Sequence, residues 1–189
     1  KEACFILPVI FRERTRQRYE RLYDTVFTIP FDGIIVKNYE EIGFLQRHAY
    51  TGTVMADHDL YTYSNRTQEA FAQSGICRNT VPLELNYKEL RHRDCSNSEL
   101  LIYGYLPLMV SAGCIFKSLR KCQKKESLCY LKDRYGKRFA VRNYCTDCYN
   151  ILYNSSPLAL FGMRQEVESI HPKSLRMQFT TESVKETEK

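Results

Sequence analysis

The sequence predicts an α/β protein, a partial (β/α)8 TIM-like barrel of about six strand–helix units, and three observations predict it. Short apolar segments alternate with charged, helix-like ones along most of the chain, as in a parallel sheet with crossover helices. Polar residues recur just after the apolar segments, where an α/β barrel carries its working face. The rhythm breaks once, over 114–155, for a cysteine-rich β-hairpin, and returns for a last strand at 174–179. Residues 1–189 thus read as a single partial barrel domain with 114–155 inserted before its final strand.

Taken in order, Ala3 to Phe11 reads as an apolar strand, with Pro8 marking an edge, a bulge or a kink because it cannot donate to a ladder. A charged helix follows from Arg14 to Asp24. Gly33 to Asn38 is a short buried strand, and Tyr39 to His48 a helix with Ile42 and Leu45 turned inward. Thr53 to Asp57 is the third strand. Asn65, with Gln68 three residues on, caps a helix that ends near Gly75. Val81 to Asn86 is the fourth strand, and Asn86 with Glu89 has capping-box spacing for a helix through Arg91. Leu100 to Tyr103 is the fifth. Tyr130 to Arg142 reads as a hairpin turning near Gly136, and Leu175 to Phe179 as a sixth core strand. The strand ends place Lys37, Asn38, Asp57, His58, Glu84, Asn86 and Tyr103 on the barrel face. Asp57, His58, Glu84 and Asn86 are the catalytic candidates, although a helix cap or a rim position would also explain each.

Apolar residues make up 43% of the chain and aromatics 13%, enough for a core and incompatible with global disorder. No apolar run approaches the roughly 18 residues of a membrane span. Eight cysteines without a secretory leader predict a reducing, cytoplasmic setting, where clustered thiols are metal ligands or redox groups rather than disulfides. Cys4 and Cys77, among apolar neighbours, read as small hydrophobes. The start at Lys1 and the helix-like opening from Ser183 mark an internal piece of a longer protein, whose N-terminal part is an expected partner.

Four cysteines follow the pattern Cys114-x7-Cys122-x22-Cys145-x2-Cys148. Four thiolates suit structural zinc or an iron–sulfur cluster equally well. A redox pair at Cys145 and Cys148 is disfavoured, since such pairs follow a strand and open a helix. The net charge of +6 is unevenly placed: one basic cluster spans Arg12 to Arg21, and a second surrounds these cysteines. Lys121, Lys124, Arg134, Lys137, Arg138 and Arg142, interleaved with tyrosines, are the nucleic-acid candidates, suited to phosphate contact and base stacking. A solvated basic surface is the plain alternative. Hydrolytic signatures are missing: there is no Gly-x-Ser-x-Gly elbow and no His-Glu-x-x-His helix. His92-Arg-Asp94 matches a kinase catalytic loop by chance alone.

Leu83 to Asn86 with Glu89-Leu90, the run Tyr103 to Cys114, Leu131 to Phe139, and Cys145-x2-Cys-Tyr-Asn-x2-Tyr-Asn-Ser155 resemble the collagenase-like peptidases of family U32. Asp32 to Asn38 and Met55 to Tyr61 are similar more loosely, so the resemblance spans nearly the whole chain. It implies the last six strands of an eight-stranded barrel. The family's name implies a peptidase. Its better-understood members imply a 4Fe-4S protein acting in hydroxylation of transfer RNA, ribosomal RNA or ubiquinone precursors. On that resemblance Cys114 closes the Ser-x-x-Cys motif, and Cys122, Cys145 and Cys148 fill the later ligand positions. The chain departs from many members in having Pro107 where they carry a further cysteine. The favoured expectation is an iron–sulfur enzyme of oxidative RNA modification. The alternatives are a peptidase, with His58 as the base, and a zinc-stapled RNA-binding module.

Overall fold

Prolines decide where the apolar runs stop being strands. In the computed structural model, which describes residues 3–120 and 122–187, the first strand ends just before Pro8 and the fourth just before Pro82, because neither ring nitrogen can donate to a neighbouring strand. The elements are β1 (Cys4–Ile6), α1 (Glu13–Val26), β2 (Gly33–Val36), α2 (Tyr39–Arg47), β3 (Val54–Ala56), α3 (Asn65–Gln73), β4 (Arg78–Thr80), α4 (Tyr87–Leu90) and β5 (Ser98–Gly104). There follow β6 (Pro107–Ser111), α5 (Ile115–Ser118), β7 (Ser127–Lys132), β8 (Arg138–Tyr144), β9 (Tyr149–Tyr153), β10 (Leu158–Ala159), α6 (Arg164–Ser169), β11 (Ser174–Gln178) and α7 (Val184–Thr187). The chain divides into two compact units. One comprises the residues through Leu101 with Met163–Arg176, the other Ile102–Gly162 with Met177 onward.

The first unit is the expected partial (β/α) barrel. Strands β1 to β5 pair in sequence order, each parallel to the last, and β11 adds to β5. All four residues of β2 are buried, as expected for a strand covered on both faces. Leu7, Ile34, Val36, Phe44, Ala56 and Phe71 form the centre of its core. Two corrections concern segment limits. The fourth strand is Arg78–Thr80, not 81–86, so Glu84 lies in the following loop and Asn86 is a helix cap. The cap of α3 is Ser64, whose hydroxyl accepts from Thr67 N–H, while Asn65 is engaged with Asp94 N–H at 2.8 Å. Cys77 is exposed, and the buried thiol of this unit is Cys95.

The final strand carries its side chains in an unexpected sense. Its apolar residues Leu175 and Met177 are about half exposed, at 52% and 49%, whereas Arg176 points inward. The reason is electrostatic: Arg176 meets two carboxylates there.

In the second unit the cysteine-rich segment forms part of a four-stranded antiparallel sheet of order β6-β9-β8-β7. The hairpin predicted about Gly136 is its β7–β8 half. Asp133 Oδ1 accepts from Tyr135 N–H and Lys137 N–H, and Gly136 takes a φ of +86°, which side-chain-bearing residues avoid. Gly104, at φ +154°, is held more tightly still. A Cβ there would lie 2.7 Å from the Gln178 carbonyl oxygen. Gly104→Ala is therefore expected to cost at least about 2 kcal/mol, read as a lowered urea midpoint with an unchanged slope. Among the described residues no helix is long and apolar enough to cross a membrane.

Candidate functional site

The barrel face of the first unit is built by the residues that follow its parallel strands. Lys37 leaves β2 and Asp57 leaves β3. Asp57 is buried, with Lys37 Nζ 2.8 Å from Oδ2 and Arg176 Nη2 2.6 Å from Oδ1. Lys37 also reaches Asp59 at 3.4 Å, and Arg176 Nε lies 3.1 Å from Glu99. Burial alone would raise Asp57, but Lys37 and then Arg176 outweigh it and hold its carboxyl far below the usual carboxylate range. His58 Nδ1 lies 3.4 Å from Asp59. Asp57, His58 and Asp59 bring their ligand atoms within 4.8 Å of one another. The charge of Asp57 is already matched by two cations, so the group acts as an ion-pair network that ties β2, β3, β5 and β11 together.

Beneath it Glu41 is wholly buried. Its oxygens accept from Lys37 N–H at 2.6 Å and from the Asn38 side-chain amide at 2.9 Å, while Asn38 caps α2 in return. Burial outweighs these bonds and pushes the Glu41 carboxyl up to about 8. A raised acid binds a proton that the unfolded chain releases. Its contribution is therefore complete below about pH 4.5 and is lost as pH rises toward 8. Glu41→Gln is expected to flatten that slope in urea titrations between pH 5 and 8, at a fixed cost of about 1–3 kcal/mol, because one acceptor becomes a donor facing a donor.

Of the other barrel-face candidates, Glu84 sits beside Tyr63 and Asn86 accepts from Lys88 and Glu89 N–H in the predicted capping box. Tyr103, in the second unit, stacks on Phe161 at 5.8 Å. Arg93, the middle residue of the dismissed kinase-like triplet, is buried and donates to Thr62, Asn79 and Ser98. It is a structural strut.

The four cysteines singled out from spacing all belong to the second unit. Cys114 is buried at the start of α5, and its Sγ meets Asn143 Oδ1 at 3.6 Å. Asn143 Nδ2 reaches Cys145 Sγ at 3.1 Å, so one buried asparagine bridges two thiols. Its cross-strand neighbour Asn150 donates to the Gly113 carbonyl at 2.8 Å and fixes the backbone beside Cys114. Burial, and after it the nearby thiols of Cys122, Cys114 and Cys148, raise Cys145 above the ordinary thiol range. Cys122, Cys114 and Cys148 thus lie near enough to Cys145, at the turn between β8 and β9, to act on its charge.

That turn is strained. Cys148 has φ +58°, and Arg120 and Lys124, which flank Cys122, both have φ +55°. Non-glycine residues held in this region concentrate at functional sites. Tetrahedral bonds of about 2.3 Å would bring zinc-bound sulfurs to about 3.8 Å. Among the described residues no three of these cysteines draw their sulfurs within 4.8 Å of one another. A fifth thiol, Cys129 on β7, is raised by burial and by Cys114 nearby.

The basic candidates lie on the same sheet. Arg138 stacks over Tyr130 at 4.2 Å, Arg134 over Tyr135 at 4.6 Å and Arg142 over Tyr144 at 5.9 Å. Arg134, Lys137 and Arg138 are exposed, as is Lys124, whereas Arg142 is half-buried and donates to the Thr180 carbonyl. Lys121 lies outside the described residues. Sequence reasoning missed Asn143, Asn150, Glu41, Glu99 and Arg176. The first two had a signal: each stands where strand alternation calls for an apolar residue.

No curated protein and no solved structure matches the chain significantly. The family model described as Peptidase family U32 matches residues 1–185. With nearly the whole length matched and the parallel strands in place, the chain belongs to peptidase family U32.

Proposed function

We propose that the chain carries the cluster-binding and RNA-holding part of an iron–sulfur enzyme that modifies RNA oxidatively, by hydroxylation-type chemistry. One observation carries the reading: Asn143 bridges Cys114 and Cys145 beside the positive-φ Cys148, with Cys122 near enough to act on Cys145, on a sheet whose hairpin bears stacked Arg–Tyr pairs. The donor set fits a 4Fe-4S cluster, which four thiolates hold. When bound, such a cluster supplies one-electron chemistry.

The chain's own residues do the rest. Asn143 orients Cys114 and Cys145 by its two hydrogen bonds. Arg134, Lys137 and Arg138 offer charge to phosphates, and the tyrosines offer planes to unstacked bases. Each cysteine must lose a proton to bind, so the raised Cys145 thiol makes assembly more favourable as pH rises.

The test is nucleoside mass spectrometry of RNA from cells lacking the protein. One modified nucleoside should lose one oxygen atom and regain it when wild type, but not Cys114→Ser, is restored. An unchanged RNA profile, with a proteolytic activity that depends on His58 and survives loss of the four cysteines, would instead favour the peptidase implied by the family's name.

A further inference from the structure

The segment that leaves β3 carries a feature that neither the ion-pair network nor the cysteines explain. Tyr61 and Tyr63 are exposed, at 53% and 42%, while Thr62 between them is fully buried. The two rings stack, their centroids 5.7 Å apart and their planes 19° from parallel. Two constraints hold them there. Arg93 pins the residue between them from below, donating to the Thr62 carbonyl at 2.9 Å and to its hydroxyl at 3.1 Å. Tyr61 itself is kept at φ +53° and ψ +50°, a left-handed conformation that a bulky side chain seldom adopts. Its N–H closes the turn on the His58 carbonyl at 3.1 Å, and Tyr63 N–H reaches the Tyr61 carbonyl at 2.8 Å. Glycine or asparagine takes that backbone with less strain, and about half of the Tyr61 ring stays in water, so folding alone gives no reason for tyrosine there.

We infer that Tyr61 and Tyr63 form a stacking platform for an unpaired base of single-stranded RNA, an assignment that rests on the RNA reading above. The platform follows β3 directly, at the carboxyl end where an α/β barrel carries its working face. Each ring gives one face to the other, and the outer face of Tyr61 takes the base. The Tyr63 hydroxyl is hydrogen-bonded to Glu84, which fixes that ring as the backing and leaves ring face, rather than a polar edge, as the recognising surface. Such a surface tolerates any sequence, because every base has a π-face. Arg93 holds the loop in place before RNA arrives, so little ordering entropy opposes the stack.

The test is photo-crosslinking of short 5-iodouridine oligonucleotides to the full chain, with the attachment points located by mass spectrometry. Uridine adducts are expected on the peptide carrying residues 61–63 as well as on the hairpin tyrosines. Excess oligouridylate should suppress the adduct at 61–63, and an abasic ribose-phosphate oligomer of equal length should not. Tyr61→Gly suits the left-handed backbone, so the fold is retained, and should lower the yield at 61–63 about tenfold without changing the hairpin adducts. Tyr61→Phe, which keeps the ring, should lower it far less. Adducts confined to the hairpin overturn the platform and leave the RNA reading standing. So does an adduct at 61–63 that survives Tyr61→Gly or that the abasic oligomer suppresses equally. No adduct on either segment overturns both.

Discussion

Replacing Asp57 by Asn is expected to destabilise the first unit by about 3 kcal/mol. The carboxylate is 1% exposed and faces Lys37 Nζ at 2.8 Å and Arg176 Nη2 at 2.6 Å, with those side chains only 17% and 12% exposed. Removing one member of a buried ion network strands the others, and the measured cost of doing so is about 3–5 kcal/mol. The lower end applies because Lys37 keeps Asp59 and Arg176 keeps Glu99. Urea unfolding, with hydrogen exchange read at the β2 and β3 amides, checks the size and the location of the loss. Adding Arg176→Met to Asp57→Asn should restore part of it, since the stranded guanidinium is then gone. The pH dependence is opposite in sign to that of Glu41. Asp57 is depressed, so its contribution is complete above the unfolded carboxyl value near 4 and drains away as pH falls below it. Wild type should lose stability steeply in that acid range, and Asp57→Asn should not.

The second large effect is expected at the β8–β9 turn. Cys145→Ser should reduce bound iron to background while the apoprotein keeps its fold, because Cys145 is only partly buried and its Sγ contacts are with Asn143 and the Lys125 carbonyl, which a hydroxyl can also make. Cys148→Gly makes a sharper test. Cys148 sits at φ +58°, where relief of about 1 kcal/mol on substitution offsets the roughly 0.5–1 kcal/mol that glycine's extra freedom costs. Stability should stay within about 1 kcal/mol of wild type while iron is lost. A residue whose removal leaves the fold untouched and empties the centre is held there for its sulfur.

The repeating strand and helix pattern made the partial barrel legible, because parallel strands buried on both faces leave continuous apolar runs such as Gly33-Ile-Ile-Val36. Where the pattern misled, backbone chemistry overrode side-chain character. Val81 to Asn86 is apolar enough for a strand, yet Pro82 has no N–H to give a ladder, and the last ladder bond is that of Val81 N–H to the Glu99 carbonyl. The sixth strand was read as a core strand, and a strand is there, but its apolar residues face the other way. Leu175 and Met177 face outward because Arg176 is drawn to Asp57, a contact between residues 119 positions apart that no local pattern contains. The β7–β8 hairpin was legible from Gly136. Strands β6 and β9 were not, since Leu108, Met109 and Val110 are all partly exposed and give no period. The cysteine set was visible in its spacing. The asparagine that bridges two of these cysteines left one signal, a polar residue where the alternation of β8 calls for an apolar one.

The proposed function rests on the four cysteines holding one iron–sulfur centre. It is tested most directly by iron and acid-labile sulfide analysis of protein purified without air, beside the single serine variants of Cys114, Cys122, Cys145 and Cys148. Wild-type protein should be brown, with iron and sulfide in near-equal amounts, and each variant should lose both. A colourless protein holding stoichiometric zinc, or iron that persists when all four cysteines are serine, would contradict it.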